Sequence, residues 1–92
     1  MPRPRKCRRI RGNPSQELFK PNSIMGRNLE IIQLNDDEFE AVRLRDLEEM
    51  DQNTSAEMMG ISQPTFHRLL ISARKKIADA IINKKALKIG KE

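Results

Sequence analysis

Residues 52–82, QNTSAEMMGISQPTFHRLLISARKKIADAII, have the pattern of a helix-turn-helix whose second helix is long. Ala56 lies four residues before Gly60, and its small side chain allows the two helices to pack closely. Gly60 can adopt the positive φ that such a turn requires. Ser62 can then cap the second helix, and Pro64 fits its first turn, where a backbone N–H is not needed. The stretch therefore predicts two helices joined by a tight turn.

Apolar residues recur in this stretch at the spacing of helix faces that meet in a core. Four of them are expected to hold the two helices together: Met59, Ile61, Phe66 and Leu69. The second helix is predicted to run from Gln63 to about Asn83. Its buried stripe comprises Phe66, Leu69, Leu70, Ala73, Ile77, Ala80 and Ile81. A second seam of Ile71, Ala78 and Ile82 is expected to pack within the chain, with a dimer contact as the alternative.

The composition is that of one small domain with a thin aliphatic core. The chain has 92 residues, of which 37% are hydrophobic, and it lacks Trp and Tyr, so dimerisation would help to stabilise it. No apolar run is long enough to span a membrane, and the basic first residues lack the apolar segment of a signal peptide, so we expect a cytoplasmic protein. Cys7 and His67 are the only residues of their kinds, which excludes a Cys/His zinc site, and no cofactor is expected.

Charge is distributed unevenly along the chain, although the net charge is only +5. Residues 1–11 carry six basic and no acidic side chains, residues 35–59 carry nine acidic and two basic, and residues 60–92 carry eight basic and two acidic. A charged run is usually no more than a solvated surface. Here the second helix of the motif lies within a basic block, and this coincidence favours a polyphosphate partner.

Residues 1–14 are predicted to form a flexible basic arm, because three prolines and one glycine disfavour a helix and the cations repel one another. Such an arm can follow DNA phosphates or insert guanidinium groups into a narrow minor groove. The arm residues assigned to DNA backbone contact are Arg3, Arg5, Lys6, Arg8 and Arg9. Two alternatives stay open, a solubility tail and a nonspecific RNA-binding tail.

Residues 15–28 are predicted to be a connector that contains turns. Four apolar side chains are expected to anchor it on the core: Leu18, Phe19, Ile24 and Met25. Residues 29–34, LEIIQL, are rich in β-branched side chains and predict one short strand. A lone strand is not stable, so its partner is either residues 86–89, ALKI, or the same strand of a second subunit.

An acidic helix is predicted from Asp36 to Glu49. Asn35 and Glu38 form a capping-box pair at its start, and acids in the first turn suit the helix dipole. Its buried side is expected to contain Phe39, Val42, Leu47 and Met50. No nucleophile, base or metal-ligand partner lies near these carboxylates in sequence, so no catalytic residue or metal site is assigned and an enzyme is not expected.

The polar side of the second helix begins with side chains of the kinds that contact base edges. Gln63 suits adenine, Arg68 suits guanine, and His67 suits a base or a phosphate. Thr65 offers a hydroxyl and a methyl group as a lesser base contact. The other residues assigned to the DNA backbone are Gln52, Ser62, Ser72, Lys75 and Lys76. The acidic helix is expected to face away from the DNA.

Five stretches resemble a known family: MPRPRKCRRI at residues 1–10, FKP at 19–21, LEIIQLNDDEFEAVRLRD at 29–46, MGISQPTFHRLLISARKKIADAI at 59–81 and KALKI at 85–89. The family comprises small uncharacterised bacterial and archaeal proteins described as predicted DNA-binding, whose motif half is similar to region 4 of sigma factors. The resemblance covers nearly the whole chain and implies a sigma-region-4-like fold of three or more helices, with no known target. The chain departs from the family pattern at Ser23-Ile24-Met25, where Gly-Ile-Pro is usual, and at Glu49, near which a glycine is usual.

We therefore expect a mainly α fold, with a single three-to-four-helix domain at residues 15–92, a short strand pair and the flexible arm. The expected function is that of a sequence-specific double-stranded DNA-binding protein that regulates transcription, with the helix from Gln63 in the major groove. A homodimer would contact two half-sites about one turn apart. The competing expectation is a protein-interaction module that docks on RNA polymerase or a regulatory partner, with its basic surface as a general attraction.

Overall fold

Three α-helices, one π-helical segment and a small sheet make up the part of the chain that the computed structural model describes, residues 17–21 and 29–90. The elements are, in order, strand β1 (Glu17–Phe19), strand β2 (Ile31–Leu34), helix α1 (Asp36–Val42), a π-helical segment (Arg43–Leu47), helix α2 (Gln52–Met59), helix α3 (Gln63–Ile82) and strand β3 (Ala86–Ile89). The expected mainly α fold with a short set of strands is confirmed. The predicted arm, residues 1–14, lies outside the described residues.

Helix α3 forms the centre of the core because its apolar side contacts both α2 and α1. One cluster contains six buried side chains: Ala41, Leu44, Ala56, Met59, Phe66 and Leu70. Ile61 and Leu69 are half-buried against this cluster, as predicted for the residues that hold the two helices together. Ala73 belongs to a second cluster with Leu34 and Ile89, which packs the sheet against the same helix.

Strand β3 lies between β1 and β2 in the sheet. It runs parallel to β2, with Ile31 opposite Ala86 and Leu34 opposite Ile89. Of the two partners expected for LEIIQL, the structure shows ALKI of the same chain. The observed strand begins at Ile31 rather than at Leu29.

Strand β1 lies in a stretch for which the sequence predicts only a connector. It pairs antiparallel with β3, with Leu18 opposite Lys88. The side chains of Leu18 and Phe19 are exposed, so the prediction that they anchor the connector on the core is wrong. Three residues are too few to show the period of a strand, and their pairing partner lies far along the sequence. Ile24 and Met25 lie outside the described residues.

The predicted acidic helix changes from an α-helix to a π-helix at Arg43. Its hydrogen bonds then span five residues, as in the bond that the Glu48 N–H donates to the Arg43 carbonyl at 2.9 Å. The wider turn rotates the following side chains relative to an α-helix. Leu47 is consequently 73% exposed whereas Leu44 is 1% exposed, so the prediction that Leu47 is buried is wrong. The other three residues of the predicted buried side are half-buried: Phe39, Val42 and Met50.

Helix α3 has nearly the predicted bounds, but its buried stripe ends earlier than the sequence indicates. Four of its residues are buried and two are half-buried: Phe66, Leu70, Ala73 and Ala80, with Leu69 and Ile77. Ile81 is 70% exposed, so its assignment to the stripe is wrong. It lines an open groove together with Phe19 and Ile77, and no described element fills this groove. Ile71, Ala78 and Ile82 are exposed too, so the expectation that this seam packs within the chain is wrong for the described residues.

Candidate nucleic-acid interface

The turn between α2 and α3 has the local geometry of a helix-turn-helix. Gly60 ends α2 with φ 72° and ψ 33°, the left-handed conformation predicted for it. Ser62 has extended backbone at the start of α3, and its Oγ accepts a hydrogen bond from the Thr65 N–H at 3.3 Å. Pro64 lies in the first turn of α3, where a missing N–H costs little. The sequence signals at the turn therefore act together to end one helix and begin the next.

The first two turns of α3 carry the predicted base-contacting residues. Gln63, His67 and Arg68 are exposed, and Thr65 is half-buried. The Thr65 hydroxyl oxygen accepts a hydrogen bond from Ser62 Oγ at 2.9 Å and a long one from Arg68 Nη2 at 3.5 Å. The longer contact places the exposed Arg68 guanidinium beside the beginning of the helix. Gln63, His67 and Arg68 thus form one exposed polar surface, which we call the α3 face.

The residues assigned to phosphate contact separate into two groups. In the first group, Ser62 and Lys75 are exposed and Gln52 is half-buried, although the Ser62 hydroxyl also hydrogen-bonds Thr65 within the first turn of α3. In the second group, Ser72 and Lys76 are half-buried and bonded to another helix, because Ser72 Oγ donates to Glu38 Oε2 at 2.5 Å and Lys76 Nζ donates to Glu38 Oε1 at 2.7 Å. A phosphate contact by either residue would compete with these bonds, so both are better suited to holding α3 in place.

Glu38 is an internal carboxylate that connects separate elements. It is 4% exposed and also accepts a hydrogen bond from the Asn35 N–H at 2.9 Å, one half of the predicted capping box. Burial opposes its ionisation, but hydrogen bonds from Lys76, Ser72 and the Asn35 N–H outweigh that effect and lower the pKa of Glu38. Lys76 Nζ reaches the Gln33 carbonyl oxygen as well, at 2.8 Å. The cluster therefore joins α3 to both α1 and β2.

A second link, which the sequence does not reveal, joins α3 to the π-helical segment. Arg74 Nη2 donates to Asp46 Oδ1 at 2.6 Å, and Arg74 Nε donates to Asp46 Oδ2 at 3.0 Å. The hydrogen bond from Arg74 lowers the pKa of Asp46. The two residues are far apart in sequence, and no local pattern pairs them. The negative charge of Asp46 therefore neutralises the positive charge of Arg74 on α3.

Glu40 is a second carboxylate of the acidic stretch that belongs to the interior. It accepts hydrogen bonds from Arg43 Nε at 3.0 Å and Arg43 Nη2 at 2.9 Å. Its side chain is almost fully buried, whereas Arg43 also reaches Glu48 at 3.3 Å nearer the surface. Glu40 and Glu38 therefore serve the packing and pairing of α1.

The predicted arm contacts fall outside the described residues, and the predictions on metal sites and membrane spans are examined only for the described part of the chain. The arm residues Arg3, Arg5, Lys6, Arg8 and Arg9 lie outside the described residues. In the described part of the chain, no group of three or more His, Cys, Asp or Glu side chains could hold a metal ion. Among the residues that the structure describes, no helix is both long enough and apolar enough to cross a bilayer.

The comparison that decides the family covers almost the whole chain. The family model described as "Protein of unknown function DUF134" matches residues 1–91. The chain belongs to this family. The expected membership of an uncharacterised family is therefore confirmed.

Three proteins named UPF0251 are similar in sequence to this DUF134 chain. The protein from Shewanella sediminis is 52% identical over 92 residues, which cover 100% of this chain and 96% of the relative. The protein from Thermoanaerobacter pseudethanolicus is 47% identical over 89 residues, 97% of this chain and 75% of the relative. The protein from Pelotomaculum thermopropionicum is 51% identical over 89 residues, 97% of this chain and 67% of the relative. These names state no activity. No solved structure gives a significant match to the chain.

Proposed function

We propose that this DUF134 protein binds double-stranded DNA sequence-specifically and regulates transcription. The observation that supports the proposal most is the exposure of Gln63, His67 and Arg68 on the first two turns of a helix that follows the tight turn at Gly60. A helix of this kind fits the major groove, and the N-terminal residues of such helices contact base edges. The α3 face is therefore the surface that contacts the bases.

Base discrimination in this proposal depends mainly on Arg68 and Gln63. A guanidinium can donate two hydrogen bonds to O6 and N7 of guanine, and a Gln amide can pair with N6 and N7 of adenine. The Arg68 guanidinium lies 3.5 Å from the Thr65 hydroxyl oxygen, beside the beginning of the helix. His67 contacts a base or a phosphate, and Thr65 makes a minor contact.

Phosphate contacts supply much of the affinity. Lys75 is exposed about two turns beyond the α3 face and can bind a backbone phosphate. The arm carries five further cations assigned to the DNA backbone: Arg3, Arg5, Lys6, Arg8 and Arg9. Ser72 and Lys76 are left out of the proposed contact because both bind Glu38.

A single domain of this size buries little DNA surface, so specific binding calls for a homodimer on two half-sites about one helical turn apart. The exposed Ala78 and Ile82 near the end of α3 provide apolar surface that a subunit contact could cover. Two copies of the α3 face would then contact successive major grooves on one side of the duplex.

Selection from random duplexes by the purified full chain at physiological salt tests the proposal. We expect an enriched motif. Arg68→Ala should weaken binding to that motif by about 1 to 3 kcal/mol and relax one base preference. Lys75→Ala removes one positive charge from the same helix and should weaken all sequences alike. Equal losses on specific and random duplexes for Arg68→Ala would contradict its base-reading role, and binding without an enriched motif would contradict sequence specificity.

The exposure of Ile81 and Ile82 favours one alternative, a module that docks on RNA polymerase or a regulatory partner through the end of α3. Such a module would enrich no DNA motif. Its partner contact would be lost on replacing these two side chains with serine and would be retained in Arg68→Ala. The same random-site selection therefore separates the two functions.

A further inference from the structure

Ile71 is an apolar side chain in the middle of the polar surface of α3. It is 52% exposed, whereas isoleucine is among the residue types most often found fully buried. His67 precedes it by four residues, Arg68 by three, and Lys75 follows it by four, so all three are its neighbours on the helix surface. These neighbours are exposed as well. Ile71 therefore extends the α3 face with a single apolar group.

The position of Ile71 along the helix places it within reach of a groove that holds the α3 face. It lies eight residues after Gln63, or about 12 Å along the axis. It also lies seven residues after the exposed Pro64, so the two project in nearly the same direction. If α3 lies in the major groove with Gln63, His67 and Arg68 towards the bases, Ile71 also faces the floor of that groove.

The floor of the major groove offers an apolar side chain one matching group. The C5-methyl of thymine projects there, and cytosine methylated at C5 presents the same group at the same place, whereas the other base edges are hydrogen-bond donors and acceptors. An aliphatic side chain gains free energy by covering a methyl group and gains none from an unsatisfied polar edge.

We propose that Ile71 is a specificity-determining residue that recognises a pyrimidine C5-methyl group in the major groove. The proposal rests on the DNA-binding function argued above and adds the base class that α3 recognises beyond Arg68. Thymine and 5-methylcytosine are the two sources of this group. The apolar contact complements the polar ones, because it selects a base feature that neither Gln63 nor Arg68 can distinguish.

The charge around Ile71 favours DNA over a protein partner. Arg68 and Lys75 flank it, the third neighbouring cation, Arg74, is paired with Asp46, and the only acidic residue of α3, Asp79, is bonded to Asn83 and Lys85. Two other exposed apolar residues on the same side of α3, Ala78 and Ile82, lie about 11 and 16 Å farther along the helix axis than Ile71. They therefore belong to the part of α3 that leaves the groove.

The test replaces each thymine of the selected duplex, one at a time, by deoxyuridine, which removes only the methyl group. Wild-type protein should lose about three- to tenfold in affinity at one position per half-site. Ile71→Ala should bind the thymine and deoxyuridine duplexes equally, and Ile71→Val, which keeps a branched side chain, should retain the preference. A second experiment compares cytosine with 5-methylcytosine at the same position. A gain in affinity on methylation that Ile71→Ala removes would identify 5-methylcytosine as a second base that Ile71 recognises.

Several outcomes overturn the proposal, and they differ from failure of DNA binding itself. Specific binding that is insensitive to methyl removal at every position, or sensitive to the same degree in Ile71→Ala, contradicts it. A change of oligomeric state in Ile71→Ala, measured by sedimentation with the fold checked by circular dichroism, would make Ile71 a subunit contact instead. Absence of any enriched motif contradicts the proposed function.

Discussion

The ammonium group of Lys76 lies 2.7 Å from Oε1 of Glu38, and this pair connects the middle of α3 to the start of α1. Lys75, the preceding residue, is exposed. Two adjacent lysines therefore have different environments, and the sequence KK gives no sign of this. The pair also shows why a basic stretch cannot be assigned to phosphate contact residue by residue from charge alone.

These two lysines provide a matched pair of variants. Lys75→Gln should leave the free energy of unfolding unchanged and reduce the salt dependence of DNA binding by about one phosphate contact, measured as the slope of log K against log salt concentration. Lys76→Gln should leave that slope unchanged and reduce the free energy of unfolding by about 1 to 3 kcal/mol, because Glu38 would lose its cation. The reverse assignment of the two effects would contradict the contacts described above.

Glu38→Gln should alter the dependence of stability on pH. The pKa of Glu38 in the folded protein lies below its ordinary value of 4.5. Its ionised form therefore contributes stability fully above about pH 4.5, and this contribution is lost as the pH falls through the lower folded-state pKa. At pH 7 the variant should be less stable than wild type by about 1 to 3 kcal/mol.

Urea unfolding between pH 7 and pH 3 measures this effect. The difference between Glu38→Gln and wild type should shrink as the pH falls below 4.5. Glu57→Gln removes an exposed carboxylate from α2 and serves as the control, because it should produce no comparable difference. A Glu38→Gln difference that stays constant over the whole range would show that ionisation of this carboxylate does not matter.

Glu49→Gly should stabilise the protein. Glu49 has a φ of 61°, in the left-handed region that costs a residue with a Cβ about 1 kcal/mol or more. Glycine removes this cost but adds freedom to the unfolded chain, so the expected gain is about 0.5 to 1 kcal/mol. Glu48→Gly is the comparison at a negative φ of −86°, where glycine should destabilise the protein, with the loss of the contact with Arg43 adding to the effect. Thermal unfolding of both variants decides the matter, and a loss of stability in Glu49→Gly would contradict the argument.

Local signals in the sequence were sufficient to predict the turn and the long helix. Gly60, Ser62 and Pro64 each act through the backbone of their own neighbourhood, so their effects do not depend on distant parts of the fold. The family pattern has a glycine near Glu49, and the backbone of Glu49 adopts the left-handed conformation that glycine prefers. This departure from the pattern therefore indicates a local backbone feature.

Other features depend on residues that are distant in sequence or on small changes of helical register. Leu47 is exposed because the helix widens to five-residue hydrogen bonds at Arg43, and apolar spacing alone does not show where this happens. Ile81 continues the periodic stripe of α3, but no described element covers it. Arg74 and Asp46 pair across separate elements, so neither residue reveals the other. Among the candidate phosphate contacts, Ser72 and Lys76 lie on the same helix as Lys75, and only the folded structure shows that both are bonded to Glu38.

The position of β3 between β1 and β2 has a consequence for the order of folding. Both outer strands precede α1, whereas the strand that joins them follows α3, so neither can acquire a partner until the ribosome has released residues 86–89. The helices can associate through neighbouring segments earlier, but the sheet requires closure of long loops, which is slow compared with local contacts. The open edges of β1 and β2 are therefore exposed to pairing with other chains until synthesis has passed Ile89.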